Sequence, residues 1–185
     1  MRLLPRSGLA AGPLNAPSSH AAWLANPIAQ LGSWIRAHWL FLVNASVGLV
    51  LAGAVAAPML AFAGYVSAAD TLHRLYLWLC PQRASHSYFL LGHHLALEQR
   101  EMAMFAAQLL GGLVYGQLRR RVRFQLGSIA FVVSGVPMLW DVLSQMLGMQ
   151  SSDSFTRSWT GALFLVAFVF WCYPRLDRDP RRPRE

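Results

Sequence analysis

The chain has 185 residues, of which 55% are hydrophobic and only 13% charged, and its net charge of +8 comes from arginine alone, with no lysine. A soluble domain normally carries about 25% charged residues, so the composition argues against a water-soluble domain and for an integral membrane protein. The basic balance does not point to nucleic acid, because the arginines flank apolar segments instead of lining a polar surface. Anionic phospholipid is the expected partner.

Residues 1–35 are rich in Pro, Ala, Ser and Gly, and Pro5, Pro13 and Pro17 interrupt any signal-peptide core. This stretch reads as a largely disordered N-terminal arm, with Asn26 to Trp39 lying along the membrane interface. Ala54-Val55-Ala56 resembles a cleavage site, but the apolar stretch before it is too long for a signal peptide.

The membrane domain is expected over residues 36–174, with spans at about 39–63, 98–118, 124–149 and 158–173. A helix needs roughly 20 residues to cross a bilayer, and the first of these stretches is free of charge. Residues 65–79 are amphipathic and suit a short helix on the outer interface. Residues 80–97 read as a loop or re-entrant segment. In the second span Gly112 and Gly116 stand at small-xxx-small spacing, which suits close helix packing. Arg119, Arg120, Arg121 and Arg123 follow as a basic, lipid-facing loop. Pro137 lies inside the third span, where proline usually marks a kink. Residues 175–185 form a basic tail.

Arginine placement sets the orientation. The arm with the adjoining Arg36, the 119–123 loop and the tail hold twelve arginines and three acids, whereas Arg74, Arg83, Arg100 and Arg157 face Asp70, Glu98, Glu101, Asp141 and Asp153 on the other side. Both termini are therefore expected in the cytoplasm of a cell whose inner membrane holds the protein. Trp34, Trp39 and Trp171 fall near one interface and Trp78 and Trp159 near the other, as anchors should. Cys80 and Cys172 then belong to opposite faces ~30 Å apart, too far for a bridge that needs Cα atoms within roughly 7 Å.

The outer end collects the chemistry. Glu98 and Glu101 share a helical face, and His94 joins them if the helix begins early. Together with Cys80 they form a donor set suited to a divalent metal such as zinc, manganese or iron. The bland alternative is that both acids complement the helix dipole, worth ~0.3–1 kcal/mol each. Around them stand Gln82, His86, His93, Arg100, Asp141, Gln145 and Arg157. Asp141 lies well inside the third span, where an unpaired acid costs about 2.5–3.5 kcal/mol. An ion pair to Arg157 is the expected remedy. A thiol nucleophile at Cys80 or a Ser87–His93–Asp141 triad has no supporting pattern, and no catalytic residue is assigned.

Two blocks, Leu79–Glu101 and Pro137–Gly161, together resemble an uncharacterised family of small prokaryotic membrane proteins catalogued as a domain of unknown function. The resemblance covers roughly residues 72–172. Its motifs are Cys-His-Gln, Arg-Ser-Phe and Cys-x-Arg-Cys, then Pro-x-x-x-Asp-Gly-x-x-Gln and an Arg two residues before Thr-Gly. Pro137, Asp141, Gln145, Arg157, Thr160 and Gly161 match the later motifs, and Cys80, Gln82 and Arg100 the earlier ones. Pro81 replaces the family His, His86 stands where the family has Arg, and Glu98 and Glu101 occupy the positions of two family cysteines. The resemblance implies a soft-metal or redox site in the family, hardened here by carboxylates.

The fold class expected is thus all-α, with four transmembrane helices and an interfacial helix. For function, a membrane protein with a divalent-metal-binding outer site competes with a non-catalytic accessory or assembly subunit of a larger membrane complex. Whether such a site would be enzymatic stays open. Four spans without inverted repeats disfavour a carrier.

Overall fold

Long apolar stretches, broken by glycine, proline and short polar turns, give a helical chain with one small sheet. The computed structural model describes residues 19–121, 124–149 and 152–177. Its elements are α1 (Ser19–Phe62), α2 (Val66–Tyr76), a 3-10 turn (Ala84–His86), β1 (Ser87–Leu90), β2 (His93–Glu98), α3 (Gln99–Leu118), α4 (Ser128–Met146) and α5 (Ser154–Leu176). The chain divides into two compact units at Trp39 and Leu40. In the first, α1 already begins at Ser19 within the segment read as an arm, and the Trp34 ring stacks on His38 at 4.8 Å. The second unit carries everything discussed below.

Among the described residues three helical stretches are long and apolar enough to cross a membrane: Pro27–Phe62, Ser128–Met146 and Ser154–Leu176. α3 lies where the second span is expected and has 20 residues, yet it is not one of the three. Its polar side chains at Gln99, Arg100, Glu101, Gln108 and Gln117 lower its hydropathy. The surface of α4 is strongly apolar, with Ile129 83% and Val132 65% exposed. Water-soluble proteins rarely expose apolar surface on this scale, and lipid is the natural cover.

Within the second unit, α3 packs along α5, and α4 packs on another part of α5. Glycine makes the first contact close. Gly111 lies against Val169, and Gly161 lies against Met104 and the backbone of Arg100. Gly112 and Gly116 turn toward Asn44 and Leu40 of α1, so the small-xxx-small pair does bring two helices together. Aromatic rings join α4 to α5, with Phe131 stacked on Trp171 at 4.8 Å. At one end of the unit Tyr115 and Arg119 meet Asp177, and the Leu126 amide donates to the Phe170 carbonyl.

The opposite end departs from the all-α expectation. Residues 80–97 are not a plain loop or re-entrant segment: they form a 3-10 turn and an antiparallel hairpin, β1 against β2, with Leu90 paired to His93 and Phe89 to His94. Leu91 and Gly92 close the hairpin at φ 53° and 83°. A two-residue turn with both φ values positive matches strand twist, and glycine suits it. Leucine at the first position is sterically unfavourable there, so the usual Asn-Gly or Asp-Gly signal is missing from the sequence. β2 buries Leu95, Ala96 and Leu97 and runs directly into α3. Cys80, Ala96 and Leu97 share a core with Ala54 and Ala57 of α1 and Tyr76 of α2, and the Tyr76 hydroxyl donates to the Val50 carbonyl at 2.5 Å.

The packing makes a paired prediction about glycine. A Cβ at Gly161 would sit 3.0 Å from the Arg100 carbonyl oxygen, whereas one at Gly48 meets nothing within 4 Å. Gly161→Ala should destabilise the detergent-solubilised protein by about 1–3 kcal/mol. Gly48→Ala should leave it unchanged or raise its stability by about 0.5–1 kcal/mol. Thermal denaturation of the two variants beside wild type checks both signs.

Candidate functional site

The hairpin end of the second unit gathers cysteine, histidine, arginine and acidic side chains into two adjoining places. The first is a trio of Cys80, Glu98 and Glu101, whose ligand atoms all lie within 4.8 Å of one another. Cys80 follows α2, its amide held by the Tyr76 carbonyl at 3.0 Å, and it is buried. Burial, acting against backbone hydrogen bonds and reinforced by the nearby Glu101 and Glu98 charges, pushes the Cys80 thiol up from its ordinary value.

Glu98 is the N-cap residue of α3, yet its side chain makes no capping bond. Its carboxylate turns back toward the turn before β1. The Arg83 amide donates to Glu98 Oε1 at 2.9 Å, and His86 Nδ1 stands 3.6 Å from Oε2. Glu101, in the first turn of α3, has a buried Oε2 with no hydrogen-bond donor. A buried polar atom without a partner costs about 1–3 kcal/mol, so this oxygen marks a place made for a donor or a cation. Thiolate and carboxylate oxygen are both zinc ligands, and carboxylates also suit iron and manganese. The residues present fit such an ion.

The second place is a cavity of about 450 Å³ beside the trio. Arg83, His86, Glu98, Arg100, Gln145 and Arg157 supply its polar walls, and Val142 and Met146 an apolar side. Arg100 Nη2 donates to Asp141 Oδ2 at 2.5 Å, with both side chains largely buried. This corrects the expected Asp141–Arg157 pair. Among the described residues Arg157 enters no ion pair within 4.0 Å; its Nη1 reaches Gln99 Oε1 at 3.4 Å. α3 presents Arg100 to α4 from one helical turn, while Arg157 in the first turn of α5 points to Gln99, so the acid meets the closer guanidinium. Gln145 and Ser144 donate to the Asp141 backbone carbonyl. Arg100 Nε and Arg157 Nε are both buried without an acceptor.

The remaining sequence-predicted residues lie elsewhere. His94 stands apart from the trio. Its ring lies 4.7 Å from that of His73, and its Nδ1 faces the Leu95 carbonyl. Gln82, at φ 56°, takes a hydrogen bond from His73 Nδ1 at 2.7 Å and returns one to the His73 carbonyl at 2.6 Å. His93 is exposed at the start of β2. At the far end Arg119 pairs with Asp177 at 3.0 Å, Arg120 and Arg121 are exposed, and Arg123 lies outside the described residues. Sequence reasoning missed Arg83 and Gln99 as site residues. The signal for Arg83 was present: four arginines on the acid-rich side run against the positive-inside tendency and therefore ask for a local reason.

Residues 80–171 match the family described as "Predicted membrane protein (DUF2085)". The chain is a divergent member of that uncharacterised family. The match takes in the trio, the cavity walls, α3, α4 and most of α5, and leaves α1 and α2 outside. The chain is also similar to the uncharacterized protein MJ1492 of Methanocaldococcus jannaschii, 25% identical over 104 residues, which cover 56% of this chain and 67% of that protein. No solved structure matches.

The Arg100–Asp141 pair yields a stability test. Removing one partner of a buried pair strands the other charge and costs about 3–5 kcal/mol, whereas replacing both with apolar residues is often near neutral. Asp141→Ala should therefore lower the melting temperature sharply, and Arg100→Met combined with Asp141→Leu should recover most of the loss. Additive losses in the double variant would contradict a direct pair.

Proposed function

We infer that this is a four-span membrane protein that holds a divalent metal at the extracytoplasmic end of its helix bundle, through Cys80, Glu98 and Glu101. The observation that carries the metal reading is the convergence of one thiol and two carboxylates within 4.8 Å, with a buried Glu101 oxygen left without a partner. By the family resemblance, Glu98 and Glu101 stand at positions held elsewhere by cysteine, so the trio sits where a soft-ligand site would be.

α3 is the fourth span in this reading. It lies beside α5 for most of its length, from Arg100 near Gly161 to Tyr115 near Tyr173. A helix so aligned with a membrane-crossing neighbour crosses with it, and Gln99, Arg100, Glu101 and Gln108 are wholly or partly covered by protein instead of lipid. An even number of spans then leaves both chain ends on one face, and arginine placement makes that face cytoplasmic. The exposed Arg120 and Arg121 would meet anionic headgroups there.

Two measurements test these claims. Protein purified in mild detergent and supplied with zinc should retain close to one metal per chain by elemental analysis, and Glu101→Ala or Glu98→Ala should lose it; a metal-free wild type would end the reading. Because ligation needs the thiolate and burial raises the Cys80 pKa, the thiol is protonated at neutral pH. Binding must therefore release its proton, and affinity should rise about tenfold per pH unit below that pKa. Affinity independent of pH between 6 and 8 would exclude Cys80 as a ligand. For orientation, a C-terminal reporter should read as cytoplasmic, and an extracytoplasmic readout would overturn the arrangement.

A further inference from the structure

The basic cavity remains unexplained by a metal at the neighbouring trio. Three guanidiniums, those of Arg83, Arg100 and Arg157, and the His86 imidazole line one space of about 450 Å³. The acids beside them do not balance this charge. Asp141 is committed to Arg100, and Glu98 is the one carboxylate on the wall. Asp153 lies near Arg157 but is exposed at the N-cap of α5, where its carboxylate accepts the Thr156 amide at 2.8 Å. Two of the guanidiniums each keep a buried Nε–H without an acceptor. Like charges gathered around a partly enclosed space, with donors unfilled, call for an anion.

We propose that this cavity binds a phosphate-bearing ligand, either a free phosphate compound or a phospholipid headgroup. The number of donors separates phosphate from carboxylate. One carboxylate is satisfied by a single bidentate arginine, whereas Arg83 and Arg157, neither in an ion pair within 4.0 Å among the described residues, together with the unpartnered Nε–H of Arg100 match a group with three or four oxygens. The size adds a second constraint. A volume of about 450 Å³ falls in the range of pockets for small organic ligands, roughly 300–1,000 Å³. The cavity therefore has room for a substituent on the phosphate, and Val142 and Met146 offer that substituent an apolar wall. The proposal stands without the metal site. Glu98 belongs to both places, so a cation held by the trio would lower its negative charge and favour the anion.

The test uses the full chain in detergent, stripped with a chelator so that metal plays no part. Titration calorimetry with inorganic phosphate, against chloride at equal ionic strength, addresses the free compound. Native mass spectrometry after reconstitution in mixed neutral and anionic phospholipid, followed by displacement with short-chain phosphatidic acid, addresses the headgroup. Saturable binding in either arm supports the proposal and identifies the source, and binding in neither overturns it. Arg83→Gln removes an exposed guanidinium that lies in no ion pair within 4.0 Å among the described residues, so folding should survive, as its melting temperature would show. Its affinity for whichever probe binds should fall roughly tenfold or more, as loss of a charge-assisted contact requires. Arg157→Gln should act in the same direction. Wild-type affinity in Arg83→Gln and Arg157→Gln alike would place the anion elsewhere and overturn the proposal.

Discussion

The ion pair between Arg100 and Asp141 governs the hairpin end of the bundle. α3 and α4 each lean on α5, and the 2.5 Å contact spans the interval between them. A charge in such surroundings is strongly penalised when alone, so each side chain holds the other in place. The pair ties α3 to α4, and Arg100, Val142, Gln145 and Arg157, drawn from α3, α4 and α5, line the cavity beside it. The Gly161 contact fixes the third side, because it brings α5 against the backbone of Arg100 and leaves the Arg100 side chain to be directed toward α4.

The hairpin does the corresponding work for the thiol and the two carboxylates. β2 ends at Glu98 and α3 begins at the next residue, so the buried strand residues Leu95, Ala96 and Leu97 set the rotation at which the helix starts. Ala96 and Leu97 share a core with Cys80, which brings the thiol to the first turn of α3 although eighteen positions separate it from Glu98. The bond from the Arg83 amide to Glu98 closes the segment between them. Apolar burial thus places the trio, and the polar contacts only orient it.

Much of this arrangement was legible in the sequence, because the bilayer imposes length and charge rules that a chain states openly. The helices at α1, α4 and α5 follow from apolar length, α2 from its amphipathic period, and close helix packing on α3 from Gly112 and Gly116, although not that α1 is the partner. The shared location of Cys80, Glu98, Glu101, Arg100, Asp141 and Arg157 follows from their position relative to the helix ends. Pairing among them does not. Helical spacing fixes which residues share a level, but the partner of Asp141 depends on how far α3 and α5 rotate, and that is decided by Gly161 and Gly111 against Met104 and Val169. His94 fell outside the trio for a related reason. It lies in a strand, which rises about 3.3 Å per residue, so the four-residue step to Glu98 covers about 13 Å instead of one helical turn. The strand itself was hidden by Leu91, a residue that does not announce a two-residue turn.

Electrostatics gives the trio its direction of chemistry. Two carboxylates with oxygens within 4.8 Å of each other repel, when both are charged, by at least about 3 kcal/mol at an effective dielectric constant of about 20. The N-terminus of α3 returns only about 0.3–1 kcal/mol to each, so the helix dipole alone does not offset the repulsion. The Arg83 amide and the His86 imidazole relieve Glu98, and neither is bonded to Glu101, whose buried oxygen keeps its unmet need. The nearest other group is a thiol made less acidic by burial, so it adds no compensating positive charge. A cation between the three would satisfy both carboxylates at once and draw the proton from sulfur. On the far side of Glu98 the balance has the opposite sign, with guanidiniums in surplus. The same few residues at the start of α3 thus separate a place that favours a cation from one that favours an anion, and Glu98, touching both, is where the two would influence each other.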